Sequence, residues 1–208
     1  MNVFSHFMMG KLLYHNLKNI DIKLKRNAFI FGNIKPDVSS RYNKLPHYKK
    51  DVYSLFKSEV LALCDMKVSE GSSFSSEYSE KLGVICHFIS DFFCFAHCEQ
   101  FDNRGWNHFI YEMKLSFYML KRKKSMKNID NLMDYSQFYN TNSIFEEMDK
   151  ENEEYFASHQ SEGMDVLCSL QNCISMVLAV VNISKVSLTE EVEVDEYESG
   201  LFYGHVLS

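Results

Sequence analysis

Apolar residues recur along most of the chain at the helical spacing rather than at the alternating spacing of strands. In Ser5–Asn19 the period is carried by Phe7, Met8, Leu12, Leu13 and Leu17. We expect Ser5 to cap this first helix. The same reasoning predicts helices over about Tyr48–Cys64 and over His108–Lys121, the latter capped by Asn107 and ending in basic residues that suit a helix C-terminus.

Two further segments extend the helical pattern. Glu77–Phe95 is predicted to be one helix, and from Gly83 onward it is apolar almost all round, which is typical of a buried helix. Ser143–Val186 is predicted to contain one or two helices with a break or kink at Gly163. Strand signals are weak and no repeat is evident, so the sequence predicts an all-α helical bundle.

The connections carry their own signals. Pro36 should forbid a continuing helix at Lys35, which predicts that Asp37 lies on a loop. Met66–Ser76 is rich in serine and glycine and reads as a surface loop. The length of 208 residues and a 46% hydrophobic content predict one domain over residues 1–186, followed by an acidic tail, 187–208, that is frayed or partly extended.

Charge and apolar runs narrow the classes of function. A formal charge of −6 argues against a broad phosphate-binding surface, so nucleic acid is a less favoured partner; the basic run Lys121–Lys124 is a solvated helix end or, alternatively, a patch for anionic lipid or nucleic acid. The N-terminus shows no secretory signal, and the run Cys173–Ile183 is too short to span a membrane. We therefore expect a cytoplasmic protein whose six cysteines are reduced.

The stretch around the most apolar helix concentrates histidines and carboxylates. His87 and Asp91 are four residues apart, as are His108 and Glu112, so on a helix each pair projects from one face and can close on one ion. His97 is expected at the end of the first of these two helices. Taken alone, such pairs are common on helix surfaces and in cores, but a buried imidazole and carboxylate need compensation, which a cation supplies.

With the residues upstream, the candidate metal ligands number eight. Nitrogen and oxygen ligands without cysteine favour zinc or another borderline-to-hard divalent ion, and a cluster this rich could hold two or three. The motif HExxH of single-zinc proteases is absent. The eight are His6, Asp37, His47, His87, Asp91, His97, His108 and Glu112.

The order of these residues resembles the zinc-dependent phospholipase C family, whose superfamily also contains single-strand-specific nucleases. The resemblance covers about Asn2–Leu115. It implies an all-helical fold with three zinc ions at the bottom of a cleft. It also implies three ligand sets, which are Asp37, His47, His87 and Asp91 for one zinc; His97, His108 and Glu112 for a second; and His6 with a shared Asp91 for the third.

One departure concerns the third zinc. Secreted members complete it with the amino group and carbonyl of an N-terminal tryptophan, whereas this chain has Met1 only five residues before His6, and we expect no leader to be removed. The large Asn2 makes removal of Met1 unexpected. Met1 could fold back as a ligand, and a two-metal site is the alternative. We also expect no C-terminal β-domain of the sort that some toxins of the family carry.

The expected chemistry is hydrolysis of a phosphodiester. Clustered divalent ions activate water and clamp the attacking and leaving oxygens of a phosphoryl displacement. The resemblance makes Asp37 a candidate general base, and the substrate would be a phospholipid or a smaller soluble phosphodiester. The alternatives are a nuclease of the same superfamily, against which the acidic balance counts modestly, and a metal-binding module without catalytic activity.

Overall fold

The computed structural model describes residues 1–40, 42, 48–66, 73–98, 101, 105–127, 140–158 and 160–202, with side chains as far as Ser184. The described chain is all-α, as predicted, and contains no strand. Its helices are α1 (Val3–Asn19), α2 (Arg26–Val38), α3 (Lys49–Cys64), α4 (Ser76–Phe92), α5 (Trp106–Arg122), α6 (Thr141–Ala157) and α7 (Glu162–Phe202), with a 3₁₀ turn at Phe95–His97.

Helices α4 and α7 form the centre of the bundle. Helix α4 is buried along almost all its length after Leu82, as its apolar sequence predicted, and α7 contacts α1, α3, α4, α5 and α6. Within the described residues one segment, Glu162–Ser184, is long and apolar enough to cross a membrane, which is longer than the run that the sequence suggested. However, 61% of its most apolar window is buried inside the protein, as in a core helix.

Helix α2 packs against α4 at backbone distance because two glycines face each other. A Cβ atom built on Gly83 would lie 2.8 Å from the Cα atom of Gly32 and would collide with the carbonyl oxygen of Phe29. Only glycine permits this approach. The contact between Gly32 and Gly83 fixes the position of α2 along α4, and therefore the position of the residues that follow Gly32.

This packing explains a wrong prediction. Helix α2 continues through Pro36 to Val38, so Asp37 lies in the last helical turn and not on a loop. Proline removes one backbone N–H and disfavours the helical conformation of the preceding residue. The tight contact with α4 outweighs that cost, and the helix ends two residues after Pro36.

Several predicted helix ends also differ from the structure. Helix α1 is capped by Asn2, whose side chain accepts the backbone N–H of Ser5, so Ser5 is not the cap. Helix α4 ends at Phe92, which places His97 in the separate 3₁₀ turn and not at the end of the helix. Helix α5 begins after Gly105, whose φ of 21° suits a residue without a side chain, so Asn107 lies inside the helix.

The C-terminal half contains two helices. The break lies between Ala157 and Glu162, so the predicted break at Gly163 falls in the first turn of α7. Helix α7 extends to Phe202, so the acidic segment from Ser187 is helical rather than extended as far as that residue. The division of the chain at residue 186 stays a prediction. All six cysteines are free thiols, and five of them are buried.

Candidate metal centre

The first group of candidate ligands joins α1 to α4. His6 from α1 and His87 and Asp91 from α4 are completely buried, and their ligand atoms lie within 4.8 Å of one another. The Nε2 atoms of His6 and His87 lie 3.2 and 3.4 Å from the two carboxylate oxygens of Asp91. We call these three residues the inner triad. Its histidine nitrogens converge on one carboxylate, as ligands of a shared cation would.

His6 is the residue whose environment fits a metal most clearly. Its ring stacks on that of His87 with centroids 3.8 Å apart. Both ring nitrogens are buried, and neither makes a hydrogen bond with any residue that the structure describes. Burying a polar group without a hydrogen bond costs at least about 1 kcal/mol, so the side chain is suited to a ligand that completes its coordination.

A backbone carbonyl orients His87. The Nδ1 atom of His87 lies 2.9 Å from the carbonyl oxygen of Asn33 on α2 and donates its hydrogen to it. This fixes the tautomer in which Nε2 carries a lone pair toward Asp91. Asn33 was not predicted, because a main-chain carbonyl leaves no signal in the residue type.

The second group joins the 3₁₀ turn to α5. His97, His108 and Glu112 also have ligand atoms within 4.8 Å of one another, and we call them the outer triad. The Nε2 atoms of His97 and His108 lie 3.3 and 2.9 Å from the same oxygen of Glu112. The side chain of His108 is 26% exposed, whereas those of the inner triad are fully buried, so solvent reaches this group.

Asp91 connects the two triads. Its Oδ1 atom lies 3.6 Å from the Nε2 atom of His97 as well as 3.2 Å from that of His6. Asp37 lies at the edge of the inner triad, with Oδ1 4.0 Å from the Nε2 atom of His87. The structure thus brings together seven of the eight predicted residues, and His47 lies outside the described residues.

The amino group of Met1 lies between the triads. It forms an ion pair with Asp91, lies 2.7 Å from the Nε2 atom of His97 and lies 3.5 Å from an oxygen of Glu112. Met1 itself is buried, with 2% of its surface exposed. The sequence left open whether Met1 folds back as a ligand; the structure places its amino group among the candidate ligands, and its role as a ligand stays a prediction.

The charges in the centre compensate one another. Burial would raise the pKa of Asp91, but His97, the Met1 ammonium, His6 and His87 together hold it well below its usual value. Burial likewise acts to raise the pKa of Glu112, and hydrogen bonds from His108 and His97 lower it instead. Burial lowers the pKa of His97. Ionised carboxylates beside a neutral imidazole are the forms in which these groups bind metals.

Asp165 of α7 binds the two segments that carry the outer triad. This fully buried carboxylate accepts hydrogen bonds from the backbone N–H of Phe95 at 3.0 Å, from the Tyr111 hydroxyl at 2.9 Å and from the Tyr155 hydroxyl at 2.6 Å. Phe95 begins the turn that carries His97, and Tyr111 precedes Glu112. Asp165 was not predicted, although a lone acid in the apolar stripe of α7 was a signal for it.

A cavity of about 500 Å³ reaches the outer triad at His97. Its walls are largely aromatic, and Lys49 at its side is held by Asp149 at 2.7 Å. The lining residues are Tyr48, Lys49, Lys50, Tyr53, Phe92, His97, Cys98 and Phe156. A cavity of this size beside the candidate ligands can admit a small organic substrate.

Comparison with known proteins bears on what the centre is. Residues 5–162 match the family model described as zinc dependent phospholipase C, a span that includes both triads. Searches of curated proteins and of solved structures each found no match. The family match covers well over half of the chain and agrees with a donor set of imidazoles and carboxylates. This chain belongs to the zinc-dependent phospholipase C family.

Proposed function

We propose that the protein is a zinc-dependent hydrolase of phosphodiesters, of the phospholipase C type. The observation that carries this proposal is the convergence of two His/His/carboxylate triads on Asp91, whose Oδ1 atom lies within 3.6 Å of a histidine from each. Adjacent divalent sites are the arrangement that catalyses in-line displacement at phosphorus. A single structural ion would need only one of the two triads.

The spacing of the candidate ligands supports two ligand sets. The inner triad, with Asp37 beside it, would hold one ion and the outer triad a second. If a third ion binds, His6 and the shared Asp91 would hold it with the amino group of Met1, and His87, Asp91 and Asp37 would remain for the first ion. When bound, zinc lowers the pKa of a coordinated water to about 7 and neutralises charge on the phosphoryl oxygens.

Residues of the chain would position the ions and accept a proton from the attacking water. Asp91 is shared between the triads and sets their separation, and the carbonyl of Asn33 keeps the Nε2 atom of His87 directed inward. Asp37 is the candidate general base: its side chain is 14% exposed at the edge of the inner triad, where it can accept a proton from an attacking water.

Two surface features favour a phospholipid over a small soluble diester. The cavity at His97 is lined mainly by aromatic and apolar surface, which suits a lipid better than a bare phosphate. Next to His108, the first turns of α5 expose large apolar side chains, with Trp106 72% and Phe109 49% exposed. An exposed tryptophan and phenylalanine beside a site can insert into a lipid surface.

The test is hydrolysis by the zinc-loaded protein of phosphatidylcholine vesicles, of a soluble chromogenic phosphodiester and of single-stranded DNA. We expect release of the phosphorylated headgroup, abolished by chelation and restored by zinc, with His97→Ala inactive. Faster cleavage of single-stranded DNA would favour a nuclease. Zinc binding without turnover of any of the three would refute hydrolysis and leave a metal-binding module.

A further inference from the structure

A second cavity lies at the end of the bundle remote from the metal centre. It has a volume of about 320 Å³ and lies between the C-terminal ends of α1 and α5 and the start of α2. Its lining residues are Lys11, Leu12, Tyr14, His15, Lys18, Arg26, Lys123 and Lys127. We call it the basic cleft. From His108 to Lys123 the axis of α5 spans about 22 Å, so the cleft is distinct from the metal centre.

The charged residues that line the basic cleft are all positive. Five of its eight lining residues are lysine or arginine, and none is a carboxylate. Among the residues that the structure describes, none of the five forms an ion pair, and the acid at the end of α1, Asp21, pairs instead with Lys23 at 3.6 Å. This concentration occurs in a chain whose formal net charge is −6.

Helix stability explains only two of the five cations, Lys18 and Lys123, which lie at the C-terminal ends of α1 and α5. Lys18 lies in the last turn of α1, where a cation compensates the helix dipole, but Arg26 is the first residue of α2, where a cation is unfavourable. The N-terminus of α2 also has no side-chain cap, so its first backbone N–H groups add to the positive potential. Lys11 lies in the middle of α1, far from either helix end.

We propose that the basic cleft binds an anion that carries two or more phosphate groups. Such an anion would relieve the repulsion among the five cations, and the hydroxyl of Tyr14 and the ring of His15 could hydrogen-bond its oxygens. The cavity volume suits a headgroup-sized molecule. The anion could be part of an anionic lipid or a soluble phosphorylated compound, and the site does not depend on the function proposed for the metal centre.

The test uses the zinc-loaded full chain and two probes. The first is tripolyphosphate in calorimetric titration, and the second is vesicles of phosphatidylcholine with or without cardiolipin, a lipid with two phosphate groups, in sedimentation. The cleft variant is Arg26→Glu with Lys123→Glu, and the matched control is Lys114→Glu with Lys121→Glu, two exposed positions of α5 outside the cleft that change the net charge equally. Arg26→Glu places an acid in the first turn of α2, which favours that helix, and circular dichroism checks that both double variants are folded.

We expect the cleft variant to bind tripolyphosphate at least about tenfold more weakly than the wild type, with the control unchanged and the wild-type affinity falling as salt rises. Elemental analysis before and after the titration checks that all three proteins keep the same zinc content, so that tripolyphosphate bound at the metal centre contributes equally to each. Binding to cardiolipin vesicles that the cleft variant loses would identify a lipid source, and binding of tripolyphosphate alone a soluble one. Binding that the cleft variant retains, or no binding of either probe by the wild type, would overturn the proposal.

Discussion

The inner and outer triads contain the same ligand types, two histidines and one carboxylate, but differ in how they are built. The inner triad lies on two long helices, is completely buried, and has one histidine fixed by a backbone carbonyl. The outer triad combines a short turn with the first two turns of α5, and its His108 is 26% exposed beside a substrate-sized cavity. The inner triad is therefore built into the core, whereas the outer triad can be reached by a small molecule from the cavity.

This difference assigns a role to each triad. Removal of an inner ligand disturbs the core as well as a metal, because α1, α2 and α4 meet there. Removal of His108 from the outer triad should disturb catalysis with little effect on folding, because the start of α5 lies at the surface. The predictions below test this separation, beginning with the residue that both triads share.

The largest effect is expected for Asp91→Asn. The change removes the charge that compensates the histidines and the Met1 ammonium, so we expect loss of at least one zinc ion and of activity. Removing one partner of a buried ion pair should lower the free energy of unfolding by about 3 kcal/mol. The measurements are elemental analysis and urea unfolding.

The matched control for Asp91→Asn is Asp21→Asn. Asp21 is exposed and has a φ of 63°, a conformation that asparagine accepts. We expect the Asp21→Asn substitution to leave the zinc content and the free energy of unfolding unchanged. Full zinc content in Asp91→Asn would contradict its role as the shared ligand.

A slightly smaller effect is expected for Gly83→Ala. The added methyl group would collide with the backbone of α2 and push apart the helices that hold His87 against Asn33. Overpacking of this kind should cost about 2 kcal/mol and weaken binding at the inner triad. Thermal unfolding and zinc titration measure the two effects.

Gly163→Ala is the control for that change, because the nearest atoms to its new methyl group belong to the movable end of the Tyr118 side chain. It should change stability by less than about 1 kcal/mol. Equal effects of the two substitutions would show that the close approach of α2 and α4 does not position the inner triad.

His108→Ala should separate function from folding. We expect the loss of one zinc ion and a fall in hydrolysis of at least about 100-fold, since the outer triad keeps only two ligands. The free energy of unfolding of the zinc-free protein should change by about 1 kcal/mol or less, because His108 is partly exposed. Lys114→Ala, on the exposed side of the same helix, is the control that should retain both activity and zinc.

The smallest effect is expected for Tyr155→Phe. It deletes one of the three hydrogen bonds to Asp165 and should cost about 1 kcal/mol. Because Asp165 holds the turn that carries His97, zinc should dissociate faster from the outer triad while the inner triad keeps its ion. Equal dissociation rates for the variant and the wild type would show that Asp165 is structural only.

How well a feature can be predicted from the sequence depends on how far apart along the chain the interacting residues lie. The pairs His87/Asp91 and His108/Glu112 follow from helical spacing alone, and the structure places each pair on one helix as expected. The loop prediction for Asp37 was wrong because a local rule about proline yielded to the distant contact between Gly32 and Gly83.

The groups that orient the candidate ligands are harder to predict from the sequence than the ligands themselves. The carbonyl of Asn33 acts through the backbone, which every residue type shares, so no pattern marks it. Asp165 acts across the chain on Phe95, Tyr111 and Tyr155, and that convergence exists only after folding. Ligand types can therefore be found from local spacing, whereas the groups that orient them require the packed structure.

The central claim is that two adjacent triads bind zinc, and metal stoichiometry tests it most directly. Elemental analysis of protein purified without chelator or affinity tag should find two zinc ions per chain, or three if the amino group of Met1 is also a ligand. Protein that contains no zinc and takes up none on titration would contradict the account.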